Sequence, residues 1–404
     1  MAAFSANSGP MMLSSDHYDQ ISVPCTLMRA GTSKGAYFHD ADLPKPGPER
    51  DAFLMAVMGS EDLLQIDGLG GSRLVTAKIA IVKPSARDDA DVDYTYAIVP
   101  PGRGVVVYTS NCGNISAGVG PFAIDSGLVR ADGPTTRVRI FNTNTGKLLI
   151  AHVPVRDGRA RVSGDFAIPG VPGTGAEIHL DYSHTVGAKT GRALPTGHVV
   201  DTIRLDDGRE LAVTIGDVAN PCVFIRAQDV GATGSERPDE IDQSAHLLAT
   251  IREARGKAAH MLGLCARWER AETESPALPL VVLVGGAASY TDANGAHVAS
   301  ASMDLRARLI FYNRCHESMA GTGAMCTAAM SQVGGSIVHQ SVCDASTGLL
   351  RIGHPLGVMT VAVESELVPG TNEPVYRRLG FSRTARKLMD GHVFVPAAAL
   401  RKGE

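Results

Sequence analysis

The chain has 404 residues, 44% of them hydrophobic and 20% charged, with a net charge of −4 at neutral pH. That is the balance of an ordinary globular protein, too long for one typical core, so two lobes are expected. No basic block or basic–aromatic interleaving of the kind that binds nucleic acid occurs, and no apolar run is long enough to span a membrane.

Seven cysteines stand singly at positions 25, 112, 222, 265, 315, 326 and 343, without a C-x-x-C pair or an H-E-x-x-H motif. Neither a metal site nor a disulfide framework is expected. Residues 1–18 are polar and Ser-rich, without the basic-then-apolar order of a secretory signal. The chain reads as cytoplasmic with reduced thiols, and residues 1–20 as a disordered tail.

Residues 21–28 form an apolar strand leading into Met28-Arg29-Ala30-Gly31-Thr32-Ser33-Lys34-Gly35. This turn is either a polar hairpin or a carboxylate clamp, the guanidinium gripping as a fork and the hydroxyls and N–H groups adding hydrogen bonds. It lacks the Walker spacing of a phosphate loop. Residues 50–58 read as an amphipathic helix. The glycine-rich loop Gln65-Ile66-Asp67-Gly68-Leu69-Gly70-Gly71-Ser72 feeds a β-branched run over 74–82 that reads as a strand. Lys78 lies inside it. By alternation it points to solvent; if it faces a closed site, a desolvated lysine is available as a base.

Residues 91–99 alternate as a strand paired with the one bearing Lys78. Residues 104–108 read as another, ending in Ser110-Asn111-Cys112-Gly113-Asn114. A small-residue apolar run over 115–124 follows. Cys112 thus falls between a strand and a helix start, where free N–H groups converge and favour anions. A buried structural cysteine is the plainer reading. Residues 137–142 and 147–155 form strands around a turn, 159–165 adds another, and the Gly/Pro-rich stretch 170–196 reads as a seam between lobes.

Short strands are expected at 202–205, 210–215 and 223–227, a helix over 239–264, and strands at 278–284 and 304–312. His316 then precedes Met319-Ala320-Gly321-Thr322-Gly323-Ala324 and a helix over 325–330. This second strand, small-residue loop and helix start echoes the Cys112 stretch. Two such helix N-termini facing across a cleft would make a polyanion site. Gly353-His354-Pro355-Leu356-Gly357 lies between further strands. No G-x-G-x-x-G turn with a downstream acid supports a flavin or nicotinamide enzyme.

Together MRAGTSKG (28–35), QIDGLGG (65–71), TAKIAIV (76–82), SNCGN (110–114), MAGTGA (319–324) and GHPLG (353–357) resemble the methylaconitate isomerase and oxalomesaconate tautomerase family, over nearly the whole chain beyond the tail. The resemblance implies an α+β fold of two pseudo-equivalent diaminopimelate epimerase-like lobes, each a curved sheet around a central helix, with the active site in the cleft. The lobes would cover 21–195 and 196–375, with 376–396 crossing back to the first. It also implies a cofactor-free proton shift in an unsaturated di- or tricarboxylate, and leaves a homodimer open. The epimerase cousins face two cysteines across the cleft. Cys112 matches one, but Ala320 stands at the other, which argues against a two-thiol racemase; Cys315 and Cys326 lie off the motif.

By the same resemblance Lys78 is the base. Cys112 either returns the proton or borders the substrate. N–H groups near Gly113, Asn114, Gly321, Thr322 and Gly323 would hold developing negative charge. Arg29, Thr32, Ser33 and Lys34 would clamp a carboxylate, with Ser72, Asn114 and Thr322 as further contacts. His316 is either a carboxylate contact or a satisfied core histidine. The runs around 56–82 and 118–124 favour the oxalomesaconate branch, with 2-methylaconitate as runner-up and aconitate- or itaconate-type isomerisation behind. A silent carboxylate-binding protein on the same fold is the non-enzymatic alternative.

Overall fold

The computed structural model describes residues 19–342, 347–368 and 374–400. Of the tail expected over 1–20, residues 1–18 lie outside the described residues, and Gln20 opens the first strand. The architecture is mixed α+β, with one large sheet wrapped around two buried helices.

Gln20–Ala30 and Ser33–His39 form an antiparallel hairpin. The ladder continues through Lys78–Pro84 (parallel), Val92–Ile98 (antiparallel), Thr135–Asn142 (parallel), Lys147–Arg156 and Ile178–Asp181 (both antiparallel). A second hairpin, Glu210–Val218 with Asn220–Arg226, starts a second ladder. It runs through Leu280–Gly286 (parallel), Leu305–Phe311 (antiparallel), Leu349–His354 (parallel), Gly357–Leu367 and Pro374–Arg383 (both antiparallel). The succession of senses is the same in both. Helix Gly113–Asp125 follows Val92–Ile98 in the first ladder, as Gly321–Ser331 follows Leu305–Phe311 in the second.

The repeat extends to side chains. Arg139 donates Nε and Nη2 to Asp91 Oδ1 at 3.1 and 2.7 Å and Nη1 to the Asp88 carbonyl at 2.8 Å. Arg351 donates Nε and Nη2 to Asp304 Oδ1 at 3.1 and 2.6 Å and Nη1 to the Ala301 carbonyl at 2.9 Å. Each clamps the start of the strand that leads toward its buried helix.

The C-terminal run joins the ladders. Pro374–Arg383 also pairs with Ile178–Asp181, and Ala385–Pro396 pairs with Gln20–Ala30. The first ladder therefore begins and ends on one stretch of chain. Gly113 to Ile124 and Gly321 to Ser331 are buried throughout, as helices apolar on every side must be. Their glycines admit the surrounding strands: a Cβ on Gly118 would stand 2.3 Å from Tyr37 Oη, and one on Gly323 2.2 Å from Leu309 Cδ1.

Several expectations shift. Over 104–108 only Val107 pairs, in a single bridge to Ile98, because Gly102 and Gly104 turn the chain at positive φ. The run 74–82 divides into a 3₁₀ turn, Leu74–Thr76, and a strand that begins at Lys78, so Lys78 opens the strand. Residues 170–196 contain the strand Ile178–Asp181 inside their Gly/Pro-rich surroundings. The helix expected over 239–264 breaks at Ser244, which caps Ala245–Met261 by accepting the Leu247 N–H. Among the described residues no helix is long and apolar enough to cross a membrane.

Candidate active site

The two buried helices start against each other. A Cβ on Gly113 would stand 3.0 Å from Gly321 Cα, and one on Gly321 would stand 2.6 Å from the Phe381 ring. Only glycine permits this approach. Cys112 and Ala320 are the extended residues preceding the helices, and neither side chain caps its helix. First-turn N–H groups of both helices therefore converge without side-chain acceptors, and the helix dipoles add positive potential there.

Beside this contact lies an inner cavity of about 20 Å³. Lys78, Tyr96, Asn111, Cys112 and Asn114 line it from the first ladder, and Asn220, Leu280, Phe311, His316, Ala320 and Thr322 from the second. Lys78 is 4% exposed. Its Nζ donates to Ser33 Oγ at 3.0 Å and to Cys112 Sγ at 3.2 Å. Moving one proton along the latter contact interconverts ammonium–thiolate and amine–thiol. Gly35 pairs with Lys78 in the parallel ladder, and a Cβ there would come within 2.7 Å of the Lys78 carbonyl.

A buried polar network backs the cavity. Thr32 Oγ1 lies 2.9 Å from Ser318 Oγ and accepts from Asn114 Nδ2 at 3.0 Å. Asn114 Oδ1 accepts from Arg383 Nε at 3.0 Å. Burial lowers the Arg383 guanidinium to about 10, which leaves it cationic at neutral pH. Asn220 Nδ2 donates to the Asn111 carbonyl at 3.1 Å and to Thr322 Oγ1 at 3.0 Å, while its Oδ1 is buried without a partner. The Asn111 carbonyl can only accept, so the amide cannot be flipped, and the unpaired atom is an acceptor. His316 Nδ1 accepts the Ser318 N–H at 3.1 Å. Burial first, then the Lys78 charge, pushes His316 down to about 4, so the ring is neutral at pH 7 with its hydrogen on Nε2.

Of the residues singled out in the sequence, Lys78, Cys112, Asn114, His316 and Thr322 line the cavity. Ser33 and Thr32 stand one hydrogen bond behind it, and Gly113 and Gly321 make the helix contact. Gly323 packs on Leu309 instead. Arg29, Lys34 and Ser72 are not brought to the inner cavity. Arg29 Nη1 donates to the Thr384 carbonyl and hydroxyl, because Ala385–Pro396 arrives on that side of the hairpin. Lys34 follows Ser33 in the strand and so faces the opposite side. Ser72 Oγ donates to the Leu64 carbonyl at 2.8 Å. Sequence reasoning missed Asn111, Asn220, Leu280, Phe311 and Arg383. Asn220 was legible as the residue opening the second hairpin's return strand, the place Ser33 holds in the first.

Leu74, Phe311 and His316 line both this cavity and an adjoining outer chamber of about 430 Å³, walled by Ser72, Arg73, Arg103, Tyr312, Arg314 and Glu317 among others. Among the described residues no group of three or more His, Cys, Asp or Glu is placed to hold a metal ion.

The family described as PrpF protein matches residues 20–396. A 3-methylitaconate isomerase of Eubacterium barkeri is 46% identical over 384 residues, covering 95% of this chain and 99% of that protein. A 4-oxalomesaconate tautomerase of Pseudomonas putida is 40% identical, covering 93% and 97%. The crystal structure of a methylitaconate-delta-isomerase superposes with a TM-score of 0.77 at 46% identity, over 95% of this chain and 98% of that one. A hydroxyproline epimerase from Agrobacterium vitis superposes with a TM-score of 0.53 at 14% identity over 93% of each chain, a likeness of fold alone. The α+β fold is of the proline racemase and diaminopimelate epimerase type.

Proposed function

The chain belongs to the PrpF family, whose curated relatives are isomerases and tautomerases, and from that premise we propose a cofactor-independent proton shift in an unsaturated tricarboxylate, with 4-oxalomesaconate as first candidate. The observation that carries the reading is the Lys78 Nζ–Cys112 Sγ contact of 3.2 Å beside two uncapped helix N-termini.

In this reading Lys78, as the amine, takes a proton from an allylic carbon. The C–H electron pair spreads into a dienolate whose charge rests on carboxylate or keto oxygens. Those oxygens face the first-turn N–H groups of the helices that start at Gly113 and Gly321, which hold charge as it develops. The proton then returns to the other end of the allyl system, from the Lys78 ammonium or from the Cys112 thiol, and the double bond moves. His316, a neutral N–H donor, and Thr322 orient a carboxylate. Residues 21–195 and 196–375, taken as lobes, would each supply one wall. Ala320 supports a route that does not use a second thiol.

A dicarboxylate of the methylitaconate type is the second reading, favoured by the 46% identity to that isomerase against 40% to the tautomerase. 2-Methylaconitate stands behind it.

Proton NMR in D₂O with 4-oxalomesaconate, 2-methylaconitate and methylitaconate, each offered separately, tests the reading. Deuterium uptake at an allylic carbon of one acid names the substrate. Its fall by about 10²- to 10⁴-fold in Lys78→Ala identifies the base. Turnover that survives in Lys78→Ala sinks the mechanism, and no exchange with any acid favours a silent carboxylate-binding protein.

A further inference from the structure

The inner cavity of about 20 Å³ has room for little more than a water molecule, whereas sites for small molecules run to hundreds of Å³. A polycarboxylate with its reacting carbons beside Lys78 must therefore extend past His316 into the outer chamber of about 430 Å³. That chamber has an unusual wall. Phe311 pairs with Arg314 across a two-residue turn, and both turn residues are left-handed, Tyr312 at φ 53° and Asn313 at φ 56°. This turn geometry favours Asn-Gly, and a tyrosine held in it is strained.

The strain sets the Tyr312 ring in the chamber wall with its buried hydroxyl unpartnered. Arg103, from the other half of the chain, lies 5.5 Å over that ring. Of the acids nearby, Glu317 pairs with Arg73 at 3.0 Å and Asp239 with Arg237 at 3.2 Å, while Asp242 accepts the Cys315 N–H at 2.7 Å and feels the Arg314 charge without an ion-pair contact. Among the described residues neither Arg103 nor Arg314 forms an ion pair, and both line the chamber with Tyr312, one from each half of the chain.

We propose that Arg103 and Arg314 form the subsite for the substrate carboxylate farthest from the reacting carbons. This rests on the isomerase reading and adds a selection rule. The pair grips a third carboxylate that a dicarboxylate does not possess, so it sets the preference for tri- over dicarboxylates.

The test is calorimetric binding of two unreactive probes, propane-1,2,3-tricarboxylate and glutarate, to the full chain and to Arg103→Gln, Arg314→Gln and the double variant. Each single change should weaken the tricarboxylate about 10- to 100-fold and glutarate by less than about threefold. The subsite is overturned if the double variant holds the tricarboxylate as tightly as wild type, if both probes weaken equally, or if wild type does not prefer the tricarboxylate. Wild-type deuterium exchange is scored separately. Arginine-dependent tricarboxylate binding without exchange would remove the isomerase reading and leave the subsite standing.

Discussion

Lys78 and Leu280 occupy the same place in the two ladders. Each opens the strand that runs parallel to its hairpin's return strand, Gly35 pairing with Lys78 and Cys222 with Leu280. Ser33 and Asn220 open those return strands, and Cys112 and Ala320 precede the buried helices. On one side Lys78 and Cys112 line the cavity, with the Ser33 hydroxyl behind them on the lysine. The other presents an isobutyl group, an amide and a methyl. The frame beneath is unchanged, down to the matched clamps Arg139–Asp91 and Arg351–Asp304. The difference teaches that the scaffold fixes where side chains meet, while three matched positions set the chemistry that each half offers there.

The largest effect expected concerns two buried histidines on the second ladder's side. Burial is the first cause for both, pushing His316 down to about 4 and His354 to about 3. Their unfolded values lie near 6.5, so below that pH the unfolded chain binds more protons than the fold. The stability is complete above about pH 6.5 and is lost as pH falls toward the folded values, on the order of 3 kcal/mol for each histidine. Urea unfolding from pH 7 to pH 4.5 should show this slope, with a part of it absent in His316→Gln. Identical slopes in the two proteins would mean His316 is charged in the fold.

Next comes a direct challenge to the one-walled arrangement. Cys112→Ala should slow deuterium exchange by about 10²-fold. Adding Ala320→Cys should not restore it, because the new thiol faces Lys78 from the other wall without the contact Cys112 makes. Full rescue would show that the walls are interchangeable.

Gly321→Ala should cost about 1–3 kcal/mol by forcing a methyl against the Phe381 ring. Gly334→Ala, where a Cβ meets nothing within 4 Å, is the control and should leave the melting temperature near wild type. Equal melting shifts would remove the argument from close approach. The smallest effect belongs to Arg73→Ala. The Arg73–Glu317 pair joins the ladders at 3.0 Å, with side chains 67% and 34% exposed, so it contributes less than about 1 kcal/mol. Any difference from wild type should fade in 1 M salt.

Much of this was readable from local pattern. β-Branched runs gave most strands within a few residues, and small-residue loops before apolar runs gave both helix starts. Cys112 and Lys78 stood out through motif context. The misreadings share a cause, which is that partners come from far along the chain. Arg29 looks like a carboxylate clamp, but Thr384, 355 positions later, arrives beside it and accepts from its Nη1. Residues 104–108 carry β-branched side chains, but the flanking glycines at positive φ leave one bridge. Arg103 and Arg314 carry no motif and come from opposite halves of the chain to line one chamber.

The contact between Gly113 and Gly321 also has a mechanical meaning. It lies beside the inner cavity, while Arg73 and Glu317 line the outer chamber. A change of angle between the halves about that point moves the rim most and the pivot least, as jaws move about a pin. Such a change would widen the chamber while leaving the 3.2 Å spacing of Lys78 and Cys112, which lie in the same half, as it is. Access to the chamber and the Lys78–Cys112 contact would then sit at different radii of one lever.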